Sequence, residues 1–358
     1  MTAQRYFAYG SNLNAEDWRD WCVNRSASTC RPDDIRPVGV AWLPDFELAF
    51  DLHSRTRGGG VLDIRPRVGQ RVAGVLFEVL GEGWKALDRK EGAPNVYERF
   101  ETEVIVPGGE RLAATTYRAS ESKRQSFVKP ASEYLEIVRA GLRAHGLDTA
   151  MVDAAASNAA LPQEIDAVFV YGTLMRGESR FSALAAHEPN CILTAQGPGT
   201  LYDLGNYPGL VLTDQRELLV EGEFARLERV EEALHALDAI EDFRGFGRPG
   251  SLYERTLVDV EVGEDRRRTA WTYVLPEAPT DARAIPSSSW REERGRRRPF
   301  WERLCAAYAA GDESGLRALL QARGAWRKRR TTLADALDQC QLTERQLALA
   351  TQRWAVVP

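Results

Sequence analysis

Tyr6-Phe7-Ala8-Tyr9-Gly10-Ser11-Asn12-Leu13 and Val168-Phe169-Val170-Tyr171-Gly172-Thr173-Leu174-Met175 are one plan written twice. Each is an apolar run that breaks at Tyr-Gly into a small hydroxyl residue. Downstream of each comes a Leu-Asp-x-x-Glu segment, Leu87 to Glu91 and Leu237 to Glu241, and then Tyr97-Glu98-Arg99 or Tyr253-Glu254-Arg255. The shared order of these motifs identifies a tandem duplication of one site-bearing domain. A single Tyr-Gly-Ser would be an ordinary turn closing a strand. Repeated with its downstream glutamate, it becomes a candidate site. Glycine lets the chain turn sharply with no side chain in a ligand's path. Successive amides exposed in such a turn form a nest for a carboxylate or oxyanion.

Outward from these stretches the pattern is strand-rich. Asn14 caps a helix start at Asn14-Ala15-Glu16-Asp17-Trp18. A turn at Leu43-Pro44-Asp45-Phe46 leads into an alternating strand to Phe50, and Arg57-Gly58-Gly59-Gly60 into another. The glycine run lacks the Lys-Ser/Thr and following helix of a P-loop, so a flexible loop at the edge of a site is expected. A strand over 71–79, a short helix over 83–91 and a hairpin around Pro107-Gly108-Gly109 follow. An amphipathic helix from Pro130, ending near Gly146, closes the unit. The second copy repeats this plan with helices over 180–187 and 230–239 and a final hairpin over 252–275. Many strands with few helices predict an α+β fold: two tandem mixed β-barrel domains rather than doubly wound sheets. The expected divisions are a first domain over 1–147, a linker rich in Ala, Ser and Asn over 148–165, a second domain over 166–290, and a basic helical tail over 291–358.

With 44% hydrophobic residues over 358 positions, the chain can bury real cores. Its net charge of -5 is unevenly spread. From Arg291 onward 14 Lys+Arg face 8 Asp+Glu, a net of +6, which leaves 33 against 44, a net of -11, in the rest. The five cysteines (Cys22, Cys30, Cys191, Cys305, Cys340) show no CxxC spacing, and the 4 histidines are not paired at ligand spacing. Neither structural zinc nor a disulfide framework is expected, and a reducing cytoplasm fits. No apolar run approaches the ~20 residues of a membrane span, and no signal-peptide core opens the chain.

The residues now carry a resemblance. The first turn, Leu43-Pro44-Asp45-Phe46, Gly59-Gly60-Val61-Leu62-Asp63-Ile64, Glu91-Gly92 and Glu133-Tyr134-Leu135-Glu136 resemble γ-glutamyl cyclotransferases. Tyr171-Gly172-Thr173-Leu174-Met175-Arg176-Gly177, with Leu201-Tyr202-Asp203 and Tyr207-Pro208-Gly209, resembles the sister branch of AIG2-like and γ-glutamylamine cyclotransferases. That superfamily releases a γ-glutamyl group from an amine as 5-oxoproline. The resemblance implies Glu91 and Glu241 as general acid/base. It implies substrate contacts from Gly10, Ser11, Asn12 and Leu13, and from Gly172, Thr173 and Leu174. Tyr9, Tyr97 and Tyr117, with Tyr171, Tyr253 and Tyr273, would wall the two pockets. No metal or organic cofactor is called for. The substrate would be a small γ-glutamyl amide, a biosynthetic intermediate or a protein-borne γ-glutamyl group. The different turns suggest different substrates for the two sites.

The tail stands apart. Trp301, Leu304, Cys305 and Tyr308 share one helical face, and Leu316, Leu319 and Leu320 another. Thr343 with Gln346 forms a capping-box signature before Leu347-Ala348-Leu349-Ala350. Arg297, Arg298 and Arg327 to Arg330 leave open a nucleic-acid contact, against the plainer expectation of a helical cap. The alternative functional class is a sensor of γ-glutamyl metabolites with the tail contacting nucleic acid or a regulator.

Overall fold

The computed structural model describes residues 4–25, 30–213, 215, 218–263, 266–280, 282–322 and 337. The first half opens with β1 (Arg5–Ala8), α1 (Ala15–Asp20), β2 (Ile35–Ser54), β3 (Gly59–Val79) and α2 (Gly83–Glu91). It continues with β4 (Tyr97–Ile105), β5 (Arg111–Ala119), α3 (Ser132–Ala144) and α4 (Ala150–Ala156). The second half has β6 (Ala167–Val170), α5 (Phe181–Ala185), β7 (Cys191–Pro198), β8 (Thr200–Asp203), β9 (Pro208–Val211) and β10 (Leu219–Arg226). Then come α6 (Val230–Ile240), β11 (Glu254–Val262), β12 (Arg266–Val274), β13 (Arg283–Ala284), α7 (Trp290–Ala309) and α8 (Glu313–Ala322).

Two closed barrels result, in the orders β1-β3-β2-β4-β5 and β6-β10-β7-β11-β12. In each, the short first strand closes the barrel by pairing parallel with the last, Tyr6 with Thr115 and Val168 with Trp271. Matching hydroxyls pin these strands, Thr116 Oγ1 donating to Phe7 O at 2.8 Å and Thr272 Oγ1 to Phe169 O at 3.0 Å. The expected α+β tandem of mixed barrels is the observed fold. The second half adds a small sheet, β13-β8-β9.

Several local readings change. The turn expected at Leu43–Phe46 is a bulge inside the continuous strand β2, where the register slips between Pro44 and Phe46 and Asp45 takes φ 61°. An extra left-handed residue kinks a strand without ending it. The glycine run packs rather than gating a site. A Cβ on Gly60 would stand 1.9 Å from Val128 O, because the 128–131 segment crosses there. The expected linker is partly helical: α4 buries Val152 and Ala155, and Leu161 joins the first core. Its alanines are good helix formers. Cys22 and Cys30 are joined as a disulfide with Cα atoms 5.4 Å apart, which the spacing had not suggested; Cys191 and Cys305 are free.

The barrels interlock. Ile105 of β4 lies in the second core. Arg111 reaches Glu254 at 2.6 Å, and Thr256 Oγ1 donates to Gly109 O at 2.6 Å. Gly109 could carry no side chain there, since a Cβ would meet Leu257 O at 2.6 Å. In the tail, Leu304, Cys305, Leu316 and Leu320 are buried as the helical faces require. The Arg297 and Arg298 side chains, the 327–330 run and the Thr343–Gln346 capping signature lie outside the described residues. Among the described residues no helix is long and apolar enough to cross a membrane, and no three His, Cys, Asp or Glu side chains are grouped to hold a metal ion.

Candidate active sites

Each barrel carries a cleft where the Tyr-Gly turn meets the end of the helix that bears the glutamate. In the first, Ser11–Leu13 form a single 3₁₀ turn closed by Leu13 N donating to Gly10 O at 3.1 Å. The amides that begin such a turn have no carbonyl to reach within it. A Cβ on Gly10 would point at the Tyr134 hydroxyl, 3.7 Å away, into the cleft. The second turn closes the same way, Met175 N to Gly172 O at 3.1 Å. Its glycine has a different reason: a Cβ on Gly172 would meet Pro208 Cγ at 2.8 Å.

Glu91 ends α2, and Gly92 turns the chain away at φ 65°. Ala93 N donates to Asp88 O at 2.8 Å. In the second copy Asp242 takes that left-handed place at φ 50°, and Phe243 N donates to Asp238 O at 2.8 Å. Aspartate is one of the few residues that tolerate this conformation. The change from Gly92 therefore leaves Glu241 projecting as Glu91 does.

The tyrosine scaffold is likewise duplicated bond for bond. Tyr9 OH donates to Tyr117 O at 2.7 Å, and Tyr171 OH to Tyr273 O at 2.6 Å. Tyr117 OH donates to Asp88 at 2.7 Å, and Tyr273 OH to Asp238 at 2.7 Å. Tyr97 OH donates to Leu62 O at 2.5 Å, and Tyr253 OH to Pro208 O at 2.7 Å. With their protons committed, these side chains shape walls and fix backbone; Asp88 and Asp238 hold tyrosines.

The surroundings of the two glutamates differ. Asn12 Nδ2 donates to Glu91 Oε1 at 2.7 Å and to Tyr6 OH at 2.8 Å. Burial raises the Glu91 pKa, opposed by Lys90, the Asn12 bond and Arg57. Lys90 and Arg57 both bind Asp17, at 2.8 Å and 2.7 Å. Burial also pulls the Lys90 ammonium below its ordinary range. At the positions of Tyr6, Asn12 and Lys90 the second copy has Val168, Leu174 and Ile240. Glu241 has no side-chain hydrogen-bond partner among the described residues. Burial pushes its carboxyl up to about 7, with Arg180 alone opposing. A carboxyl in that range takes and returns a proton near neutral pH.

Of the residues singled out in the sequence, Tyr9, Gly10, Ser11, Asn12, Glu91, Tyr97 and Tyr117 line the first cleft. Tyr171, Gly172, Thr173, Leu174, Glu241, Tyr253 and Tyr273 line the second. Leu13 does not reach the cleft. It is buried against α3, where a Cβ on Gly141 would stand 2.7 Å from Leu13 Cβ. Tyr6, Leu62 and Tyr134 were missed in the first cleft, as were Arg180, Tyr207, Pro208, Ile240 and Leu252 in the second. Tyr134, Tyr207 and Pro208 lie inside the stretches that carried the resemblance and were within reach. Arg180 had no sequence signal.

The chain is similar in sequence to known proteins. The family model described as gamma-glutamyl cyclotransferase, AIG2-like, matches residues 6–136 and again 168–292. The gamma-glutamylcyclotransferase of Bos taurus is 30% identical over 147 residues, covering 40% of this chain and 71% of that protein. A putative gamma-glutamylcyclotransferase of Vibrio cholerae is 35% identical over 123 residues, 34% of this chain and 93% of its own. A solved gamma-glutamyl cyclotransferase structure is 29% identical with a TM-score of 0.35, covering 40% of this chain and 81% of that one. With the model matched once on each barrel, the chain belongs to the gamma-glutamyl cyclotransferase, AIG2-like family and carries its domain twice in tandem.

Proposed function

We propose that the chain is a two-site γ-glutamyl cyclotransferase that converts a γ-glutamyl amide into 5-oxoproline and a free amine. The observation that carries this reading is the repeated pair of a buried carboxylate and a Tyr-Gly turn, Glu91 with Gly10–Asn12 and Glu241 with Gly172–Leu174, on one tyrosine scaffold.

The substrate supplies its own nucleophile. Its α-amine is tethered to the γ-carbonyl it attacks, which replaces a bimolecular encounter and removes the need for an enzyme serine. Near neutral pH that amine is an ammonium. The glutamate takes one of its protons, and the nitrogen lone pair forms the lactam C–N bond. The carbonyl electrons move to oxygen, where turn amides oppose the developing charge. Collapse of this intermediate re-forms the carbonyl and breaks the amide C–N bond. The glutamic acid gives its proton to the departing nitrogen. The carboxylate this regenerates takes the second proton from the ring nitrogen and passes it on to the freed amine, leaving a neutral lactam, so one carboxyl serves each step. Neither electron transfer nor an added nucleophile is involved, so the chemistry calls for no metal or organic cofactor.

The test is 5-oxoproline release from a panel of γ-glutamyl amino acids and γ-glutamylamines, run beside Glu91→Gln and Glu241→Gln. Loss of one set of substrates in each variant is the expected result. Unchanged release in the double variant overturns the mechanism.

A further inference from the structure

The clefts differ also at the rim, where a leaving amine would exit. In the first, the nearby cations are already paired: Asp17 holds Arg57 through both carboxylate oxygens, at 2.8 Å and 2.7 Å, and Lys90 at 2.8 Å. Neither cation lines that cleft. In the second, Arg180 does line it. Its backbone is fixed by Arg180 N donating to Thr173 O at 2.9 Å, and its guanidinium lies over the Tyr207 ring, 5.8 Å from the centroid. No described carboxylate forms an ion pair with it. The side chain is exposed at the mouth, while Thr173 and Leu174 are buried on the floor. The second cleft is also the roomier, about 570 Å³ with its mouth included against about 310 Å³.

A bound γ-glutamyl amide divides between floor and rim. Its γ-carbonyl must lie beside Glu241, and the buried amides of Gly172, Thr173 and Leu174 are there to be shared between that carbonyl oxygen and the α-carboxylate. The leaving amine then runs outward past Ile240 and Leu252 to Arg180. An uncommitted guanidinium at that point is a matched partner for a second carboxylate, which its fork can take through two hydrogen bonds.

We propose that Arg180 makes the second site selective for γ-glutamyl amides whose leaving amine itself carries a carboxylate, that is γ-glutamyl amino acids, and that the first site lacks this selectivity. The inference rests on the cyclotransferase reading above.

γ-Glutamylalanine and γ-glutamylethylamine share a skeleton and differ by that carboxylate. In the Glu91→Gln protein, where the second site alone keeps its glutamate, kcat/KM for 5-oxoproline release and Kd by calorimetry are measured for both. The alanine amide is expected to be favoured by roughly five- to tenfold, the size of a charge-assisted pair in a half-open site. Arg180→Ala should bring both ratios near one, Arg180→Lys should keep part of them, and the first site, read in Glu241→Gln, should not follow Arg180. A preference that survives Arg180→Ala overturns the inference. So does an equal weakening of Kd for both compounds, which would place Arg180 on the common glutamyl carboxylate. Absence of 5-oxoproline from both compounds counts against the cyclotransferase reading instead, while the Kd ratio still decides the role of Arg180.

Discussion

Arg255 of the second barrel is ion-paired to Asp45 of the first. Arg255 is 1% exposed, its guanidinium lies 5.2 Å from the Phe243 and Trp271 ring centres, and its own-domain partner Asp238 is 3.5 Å away. The equivalent arginine of the first copy, Arg99, binds its own Asp88 through two hydrogen bonds of 2.8 Å and 2.7 Å. The copies have therefore diverged at this motif, and the bulge in β2 is what carries Asp45 across.

Asp45→Asn keeps a residue that tolerates the left-handed bulge but removes the charge. A buried arginine that loses one of two carboxylates is expected to cost about 2 kcal/mol, less than a fully orphaned charge because Asp238 remains. Urea unfolding should show the loss. Asp238, drawn toward Arg255, should hold Tyr273 less well, so second-site turnover should fall more than first-site turnover.

The two glutamates should give different pH profiles. A general base works ionised, so second-site kcat/KM, measured in Glu91→Gln, should rise with pH through about 7. Burial raises Glu91 as well, but Lys90, Asn12 and Arg57 favour its ionised form, so the first-site limb should lie lower. Asn12→Leu should move the first limb up and Leu174→Asn the second limb down. Coincident limbs that ignore both substitutions would refute this electrostatic account.

The same burial has a cost in stability. A folded carboxyl titrating near 7 binds its proton more tightly than in the unfolded chain. The stability this gives is present below the ordinary carboxyl range and is lost as pH rises through 7. Glu241→Gln, which stays neutral, is expected to be up to about 2 kcal/mol more stable than the parent at pH 8 and equal to it near pH 4. Melting curves at the two pH values check the crossing.

The second turn is braced from the tail. Buried Glu223 accepts from Arg176 N at 2.7 Å and from Arg291 of α7 at 3.0 Å, and Arg291 also donates to Arg176 O at 2.9 Å. Arg291→Ala should loosen the turn that carries Thr173 and Leu174. It should raise second-site KM about threefold to tenfold, a loss of about 1 kcal/mol, with the first site unmoved. Burial raises the Glu223 pKa, but these hydrogen bonds outweigh it and hold the carboxyl low, so the stability they give holds above the ordinary carboxyl range and fades on acidification.

Much of this was legible because duplication supplies its own control. Glu91 and Glu241, the turns and four of the wall tyrosines sit in matched motifs, and the strand-rich pattern between them favours mixed barrels over doubly wound sheets. What escaped were features that one copy alone holds or that depend on distant backbone. Arg180 has no counterpart motif. The Asp45 bulge reads as a turn because a left-handed Asp looks locally like a chain reversal. Leu13 belongs to the turn in sequence but faces α3, and only the packing of Gly141 shows which way it points. Val152 and Ala155 needed a barrel wall before an alanine-rich stretch could be seen as a helix.

The interlock of the halves also makes each depend on the other. A first half separated beyond Leu161 would keep Arg99 on Asp88 but would lose Glu254 from Arg111 and bare Ile105. The second half would keep Arg255 with Asp238 alone, and would expose the face where Ile105 had sat. Neither copy is thus a self-sufficient module, and a shortened descendant of this chain would have to re-cover the face it bared.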